Sequence, residues 1–347
     1  MSRVTVLYYP DEITRYSLTP LLLSRFSSCF HFTRSLEEVL TRDRNRSLLL
    51  FRMAKVPGRR GALKRLRDRY ERIIYFDDRA AVDSIRTKAV GLVDFYYKKQ
   101  LARDRESYLK PLPGERRFRA YYQDKFGIEK NPKTRPALSP QDLQKFRLAW
   151  NLGIGIYPRE KLRLRTARML ERRLGPRAMR LALQRPPRLR VKNREARVSA
   201  RFARSFGSEA MACQRRLYGE AIGDDPRFRT GRLPRAEYNR ELRTARVTLS
   251  PFGYGEVCFR DFEAVWSGSA LVKPAMDHVE TWPDIYRQGE TCEYARWDGS
   301  DVVEKSIALL EDEARARRLA ENAYDAVRDA YRHLDERVEG LLEDCTP

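Results

Sequence analysis

The sequence predicts an α/β protein of two domains, each built on a parallel sheet. Three observations carry that expectation. Short apolar, β-branched runs alternate with helix-compatible stretches, the pattern of strands joined by crossover helices. The chain has 347 residues, too many for one compact core and about right for two. A break at 184–190, "QRPPRLR", carries two prolines that halt regular structure between the halves. We expect a first domain over 1–185, a second over 186–325, and a C-terminal helix over 326–347.

Taken in order, Val4 to Tyr9 is an apolar run that suits a buried first strand. Ser47 to Phe51 ("SLLLF") is a second, Arg72 to Phe76 ("RIIYF") a third and Gly91 to Tyr97 ("GLVDFYY") a fourth. Helix-compatible stretches at 17–28 and 59–71 lie between them. Ligands meet such sheets at the carboxyl ends of strands. Asp77 and Asp78 follow the third strand, where they could serve chemistry or cap a helix. Residues 100–147 are polar, basic and aromatic and read as loops and short helices. Residues 159–184 read as a helix pair broken at Gly175-Pro176, with Leu164, Ala167, Leu170 and Leu174 at helical spacing and arginines on the other faces. Beyond the linker we expect strands at Ala196–Phe202, Ala245–Leu249 and Ala270–Lys273. A helix at Phe259–Ser267, another at Asp301–Ala314 and a helical tail at Arg315–Leu342 complete the reading.

The formal charge is +22, which predicts an anionic partner. Residues 159–204 hold 15 Arg, 2 Lys and 3 Glu, a net of +14, whereas residues 301–347 hold 13 acids and 7 bases, a net of −6. The arginine-rich segment suits an anionic membrane surface, or an interdomain face with the acidic tail lying against it. A nucleic-acid-binding protein would also explain the charge. However, zinc-finger spacing and RNA-recognition signatures are missing and the arginine run lacks interleaved aromatics, so no nucleic-acid partner is expected. The 5 cysteines form no C-x-x-C pair, which argues for reduced thiols and against a disulfide framework or zinc site. His31, His278 and His333 are too dispersed for a histidine-rich metal centre, so no metal is expected. The chain lacks an apolar run long enough to span a bilayer, and "MSRVTVLYYP" reads as a strand rather than a signal peptide. The expected location is the cytoplasm, with the arginine-rich segment able to sit at the inner membrane face.

The stretch Arg246 to Pro274, "RVTLSPFGYGEVCFRDFEAVWSGSALVKP", carries the chemistry. A strand feeds a turn containing Gly253 and Gly255, then a helix, Gly268 and another strand. Glycine lets backbone approach a ligand without a Cβ in the way. The helix N-terminus offers free N–H groups and partial positive charge, a phosphate-binding device. Arg260 falls in the first helical turn and adds a cation able to bind phosphate in bidentate fashion. Glu263, one turn on, can accept hydrogen bonds from sugar hydroxyls. Arg201 and Arg204 follow the strand at 196–202 as further candidates for phosphate contact, and Lys273 and His278 as candidates for the pocket. A general base must reach an acceptor hydroxyl across the cleft. Asp77, Asp78 and His31 are the candidates.

This stretch resembles the donor-binding segment of family-1-type glycosyltransferases with two Rossmann-like domains (the GT-B architecture). The nearest likeness is to bacterial group-1-like members related to spore-coat and exostosin-type enzymes. The likeness covers about residues 240–325. It implies that Glu263 grips the nucleotide ribose, that Phe252 to Glu256, including Gly253, Tyr254, Gly255 and Glu256, face the diphosphate and donor sugar, and that Ala270 to Pro274 closes the nucleotide pocket. Many relatives carry a second glutamate eight residues before the ribose glutamate, where this sequence has Gly255 and the nearest acid is Glu256. The implied activity is transfer of a sugar from a nucleotide-diphosphate donor, UDP- or GDP-linked, to a glycan, lipid-linked or other hydroxyl acceptor, without an obligatory metal. Its alternative is a glycosyltransferase-like scaffold without catalysis.

Overall fold

The computed structural model describes residues 3–53, 61–128, 133–157, 161–205 and 207–347. Two parallel sheets organise it. The first is six-stranded, in the spatial order Phe30–Thr33, Val4–Tyr8, Ser47–Phe51, Arg72–Asp77, Phe95–Lys98 and Phe146–Leu148. The second is five-stranded, in the order Phe228–Arg229, Glu195–Ser199, Ala245–Leu249, Ala270–Pro274 and Glu293–Ala295. Leu48, Leu49, Leu50 and Phe51 are all fully buried, because crossover helices cover both faces of a parallel sheet. This explains why "SLLLF" is a continuous apolar run and not an alternating one.

In each sheet the winding reverses at one place. In the first it is between Val4–Tyr8 and its two neighbours, and in the second between Glu195–Ser199 and its two. Strand ends diverge at such a point and leave a crevice for a ligand. The segments after those ends carry Asp11, Arg52, Arg201 and Gly253.

The halves are joined firmly. Gln100–Ala102 of the first pairs antiparallel with Val279–Thr281 of the second. The tail departs from the single helix expected at 326–347. The helix Glu313–Arg332 runs through the expected boundary, breaks at His333, and Leu334–Asp344 returns to the first domain. There the Tyr97 hydroxyl donates to Asp344 at 2.7 Å, and the Arg25 N–H donates to Asp335 at 2.9 Å. Among the described residues no ion pair joins the acidic tail to the arginines of 159–204, while the Tyr324 hydroxyl of the helix Glu313–Arg332 donates to the Pro187 carbonyl at 3.0 Å. The helix pair expected at 159–184 is an α-helix at Lys161–Leu174 and a 3-10 turn at Pro176–Ala182. It splits at Gly175, whose φ of 75° suits glycine. Residues 158–160 lie outside the described residues.

Candidate active site

Residues after strand ends in both sheets line one cleft of about 1340 Å³. Its first-domain wall carries Arg52, Asp78, Lys99 and Arg116. Arg52 sits in the left-handed backbone region, at φ 54°, a costly place for a side chain of its size. Two ion pairs hold it: Nη2 to Asp11 at 2.7 Å and Nη1 to Asp78 at 3.2 Å.

Asp78 is 4% exposed, and its Oδ2 accepts no hydrogen bond from any described residue. Burial pushes its carboxyl up to about 6, against the opposing pull of Arg52 and Lys99. Asp77, its neighbour, has the opposite character. It is buried beneath the cleft and does not line it, because successive strand residues point to opposite faces. It accepts from Arg79 Nη2 at 2.9 Å and from the Tyr96 hydroxyl at 2.6 Å. Burial alone would raise its pKa, but Lys98 and Arg79 hold its carboxyl well below the usual range. Asp77 is thus a locked structural anion.

His31 lies outside the cleft. It stands on the edge strand Phe30–Thr33, pairs with Glu38 at 2.9 Å, and lines a separate surface hollow. The three expected base candidates therefore separate, and Asp78 alone reaches the cleft.

The second-domain wall gathers Gly253, Tyr254, Arg260, Glu263, Arg201 and Arg204. The helix Phe259–Ser267 points its N-terminal residues Cys258, Phe259 and Arg260 at the cleft. Glu263 accepts from Arg235 at 3.0 Å and from the Tyr238 hydroxyl at 3.0 Å. Arg201 is engaged with Glu241 at 3.0 Å, while Arg204 donates to the Gly219 carbonyl at 3.1 Å. Arg215 steadies the loop by donating to the Phe252 carbonyl at 2.9 Å, and burial draws its pKa down to about 10.

Four expected contacts fall behind this wall. Lys273 is fully buried under the loop and pairs with Asp261 at 2.9 Å, so its charge is spent there. Asp261 also accepts from Cys258 N–H at 2.9 Å and the Tyr286 hydroxyl at 2.7 Å, which ties the helix start in place. Gly255 meets the other domain and not a ligand: a Cβ there would lie 1.9 Å from the Ala80 carbonyl oxygen. Glu256, fully buried, accepts from the Val82 N–H at 3.0 Å and faces His278 at 3.7 Å. Burial opposes its ionisation, but His278 and the Val82 amide outweigh it and keep the carboxyl below its ordinary range. Gly255, Glu256 and His278 thus form an interdomain joint. The acid next to the missing second glutamate of the relatives has a structural task here.

Sequence reading missed Arg52, Lys99, Arg116, Arg235 and Tyr238. Only "YYKK" at 96–99, two lysines closing an aromatic strand, offered a signal. Among the described residues no cluster of three His, Cys, Asp or Glu side chains gathers as for a metal, and no helix is long and apolar enough to cross a membrane.

Residues 194–343, the second domain with the helices that follow it, match the family described as glycosyl transferase-like. No curated protein matches the chain. Among solved structures, Anabaena Alr3699/HepE in complex with UDP is 10% identical with a TM-score of 0.51, over 98% of this chain and 99% of that one. An α-glucosyltransferase in complex with UDP-glucose and DNA containing an abasic site is 10% identical with a TM-score of 0.47, over 100% of each chain.

Proposed function

We propose that this chain is a GT-B glycosyltransferase that binds a UDP- or GDP-linked sugar in the cleft and passes the sugar to a hydroxyl of a glycan or lipid-linked acceptor. The observation that carries the reading is the pairing of opposite walls. A buried carboxylate with one oxygen free of hydrogen bonds, Asp78, shares one cleft with Arg260 and a helix N-terminus. On the donor side, Arg260, Arg204 and the helix N–H groups stabilise charge developing on the departing diphosphate. Glu263, its carboxylate oriented by Arg235 and Tyr238, accepts from the ribose hydroxyls. On the acceptor side, Asp78 accepts the proton of the attacking hydroxyl while the sugar–phosphate bond breaks and the new glycosidic bond forms. Its raised pKa suits a base that works near neutrality.

The arginine-rich segment supports an anionic membrane as the setting of the acceptor. Leu162 and Leu181 are 75% and 80% exposed, and Met169 shares the outward face of its helix with Leu162. Arg165, Arg168 and Arg172 flank that apolar pair and would meet lipid phosphates as the apolar side chains enter the interface.

A thermal-shift panel of UDP, GDP, ADP and CMP, run on wild type and Glu263→Ala, tests the donor site. A nucleotide at 100 times its Kd should stabilise the wild type by about 2.7 kcal/mol. Stabilisation of the wild type and not of the variant supports the reading. A panel that moves neither protein defeats it.

A further inference from the structure

The cleft holds more positive charge than a donor requires. Lys99, Arg116, Arg204, Arg232 and Arg260 all line it without forming an ion pair among the described residues. Asp78 and Glu263 are the lining acids, and each already faces an arginine. A nucleotide-sugar brings a single diphosphate, which the second-domain arginines and the helix N-terminus receive. Lys99 and Arg116 stand on the other wall.

Lys99 is the informative one. Its residue is 2% exposed, it lines the cleft, and its amine makes no hydrogen bond among the described residues. Burial disfavours the ammonium form and Asp78 restores it in part. An ammonium at a cleft wall with no ion pair among the described residues is free to meet an anion that enters the cleft. Arg116 spends one N–H on the Tyr254 carbonyl, at 2.9 Å, and has no carboxylate partner.

We propose that Lys99 forms an anion subsite on the acceptor side of the cleft, taking a phosphate or carboxylate carried near the acceptor's reacting hydroxyl. Rested on the reading of Asp78 as the base, this makes the acceptor an anionic one: a uronic acid, or a sugar joined to phosphate. The Asp78 carboxylate receives the hydroxyl proton, while Lys99 Nζ donates to the neighbouring anion. The paired contacts fix which hydroxyl attacks.

The test is calorimetric titration of the full chain with inorganic phosphate, glucuronate and glucose, with and without a saturating nucleoside diphosphate. Lys99→Met removes the charge and Lys99→Arg restores it. The nucleotide-bound wild type should bind phosphate or glucuronate about ten-fold more tightly than glucose. That preference should vanish in Lys99→Met, return in Lys99→Arg, and leave nucleotide affinity within about two-fold. The stronger of the two anions names the source. Equal binding of glucose and the anions, or anion binding indifferent to Lys99→Met, overturns the subsite. So does a large loss of nucleotide affinity in Lys99→Met, which would make Lys99 a donor contact. If the wild type binds no nucleotide but still binds anions through Lys99, the donor reading fails and the subsite stands.

Discussion

Replacing Gly255 with alanine should force the two domains apart at their tightest point. The added Cβ would lie 1.9 Å from the Ala80 carbonyl oxygen and 2.6 Å from the Ala81 nitrogen. Real Cβ contacts essentially never fall below 3.0 Å, so the backbones must separate by at least 3.0 − 1.9 = 1.1 Å. Both are main-chain segments, and no flexible side chain can yield instead. The same displacement would stretch the neighbouring bond from Val82 N–H to Glu256, now 3.0 Å, beyond hydrogen-bonding range. Overpacking of this kind costs about 1–3 kcal/mol. Loss of a hydrogen bond to a buried carboxylate adds roughly 1.5–3 kcal/mol. The combined loss is on the order of 3–5 kcal/mol. At about 2 °C per kcal/mol for a chain of this size, the melting temperature should fall by roughly 6–10 °C. Calorimetry or circular-dichroism melting measures it, and Gly91→Ala, at an exposed position with ordinary φ and open space around it, controls for glycine loss alone. A Gly255→Ala melting temperature within about 2 °C of wild type would refute the argument that this glycine is an interdomain contact.

Further outcomes follow from the same geometry. Asp78→Asn should lower the transfer rate by about 10²–10⁴-fold and remove an acidic limb near pH 6 from the pH–rate profile; a retained limb assigns it to another group. The stability sign is opposite. A carboxyl whose folded pKa is raised stabilises the protonated state, and that contribution is lost as pH rises through about 6. Asp78→Asn should therefore melt higher than wild type at pH 8, by the equivalent of about 2–3 kcal/mol, and lower melting would contradict the assignment. Leu162→Asp with Met169→Asp should abolish co-sedimentation with phosphatidylglycerol vesicles while nucleotide binding persists. Sedimentation unchanged by the pair would exclude that helix as the membrane face.

The glycine loop, the helix Phe259–Ser267 and the following strand were legible in the sequence because their signals are local. A β-branched strand, a glycine turn and an apolar helix face are each specified within a few residues. The absence of helix and strand over 184–190 was legible for the same reason, since proline acts on its own backbone. Glu263 and Arg260 could be placed because helix periodicity decides which side chains share a face. What lies opposite that loop depends on residues far apart in sequence. Asp77 and Asp78 look interchangeable as a dipeptide, yet one is locked by Arg79 and Tyr96 while the other lines the cleft, because adjacent strand positions point opposite ways. Gly255 and Glu256 read as ligand contacts until Ala80 and Val82 occupy that space from the other domain. Lys273, at a strand end, reads as accessible, but Asp261 neutralises it beneath the loop. The sequence by itself determined which local devices exist, since backbone propensity and side-chain period are short-range properties. Tertiary structure alone decided which charges face the cleft and which are spent on one another, because burial and charge pairing are set by segments that meet only when the domains pack.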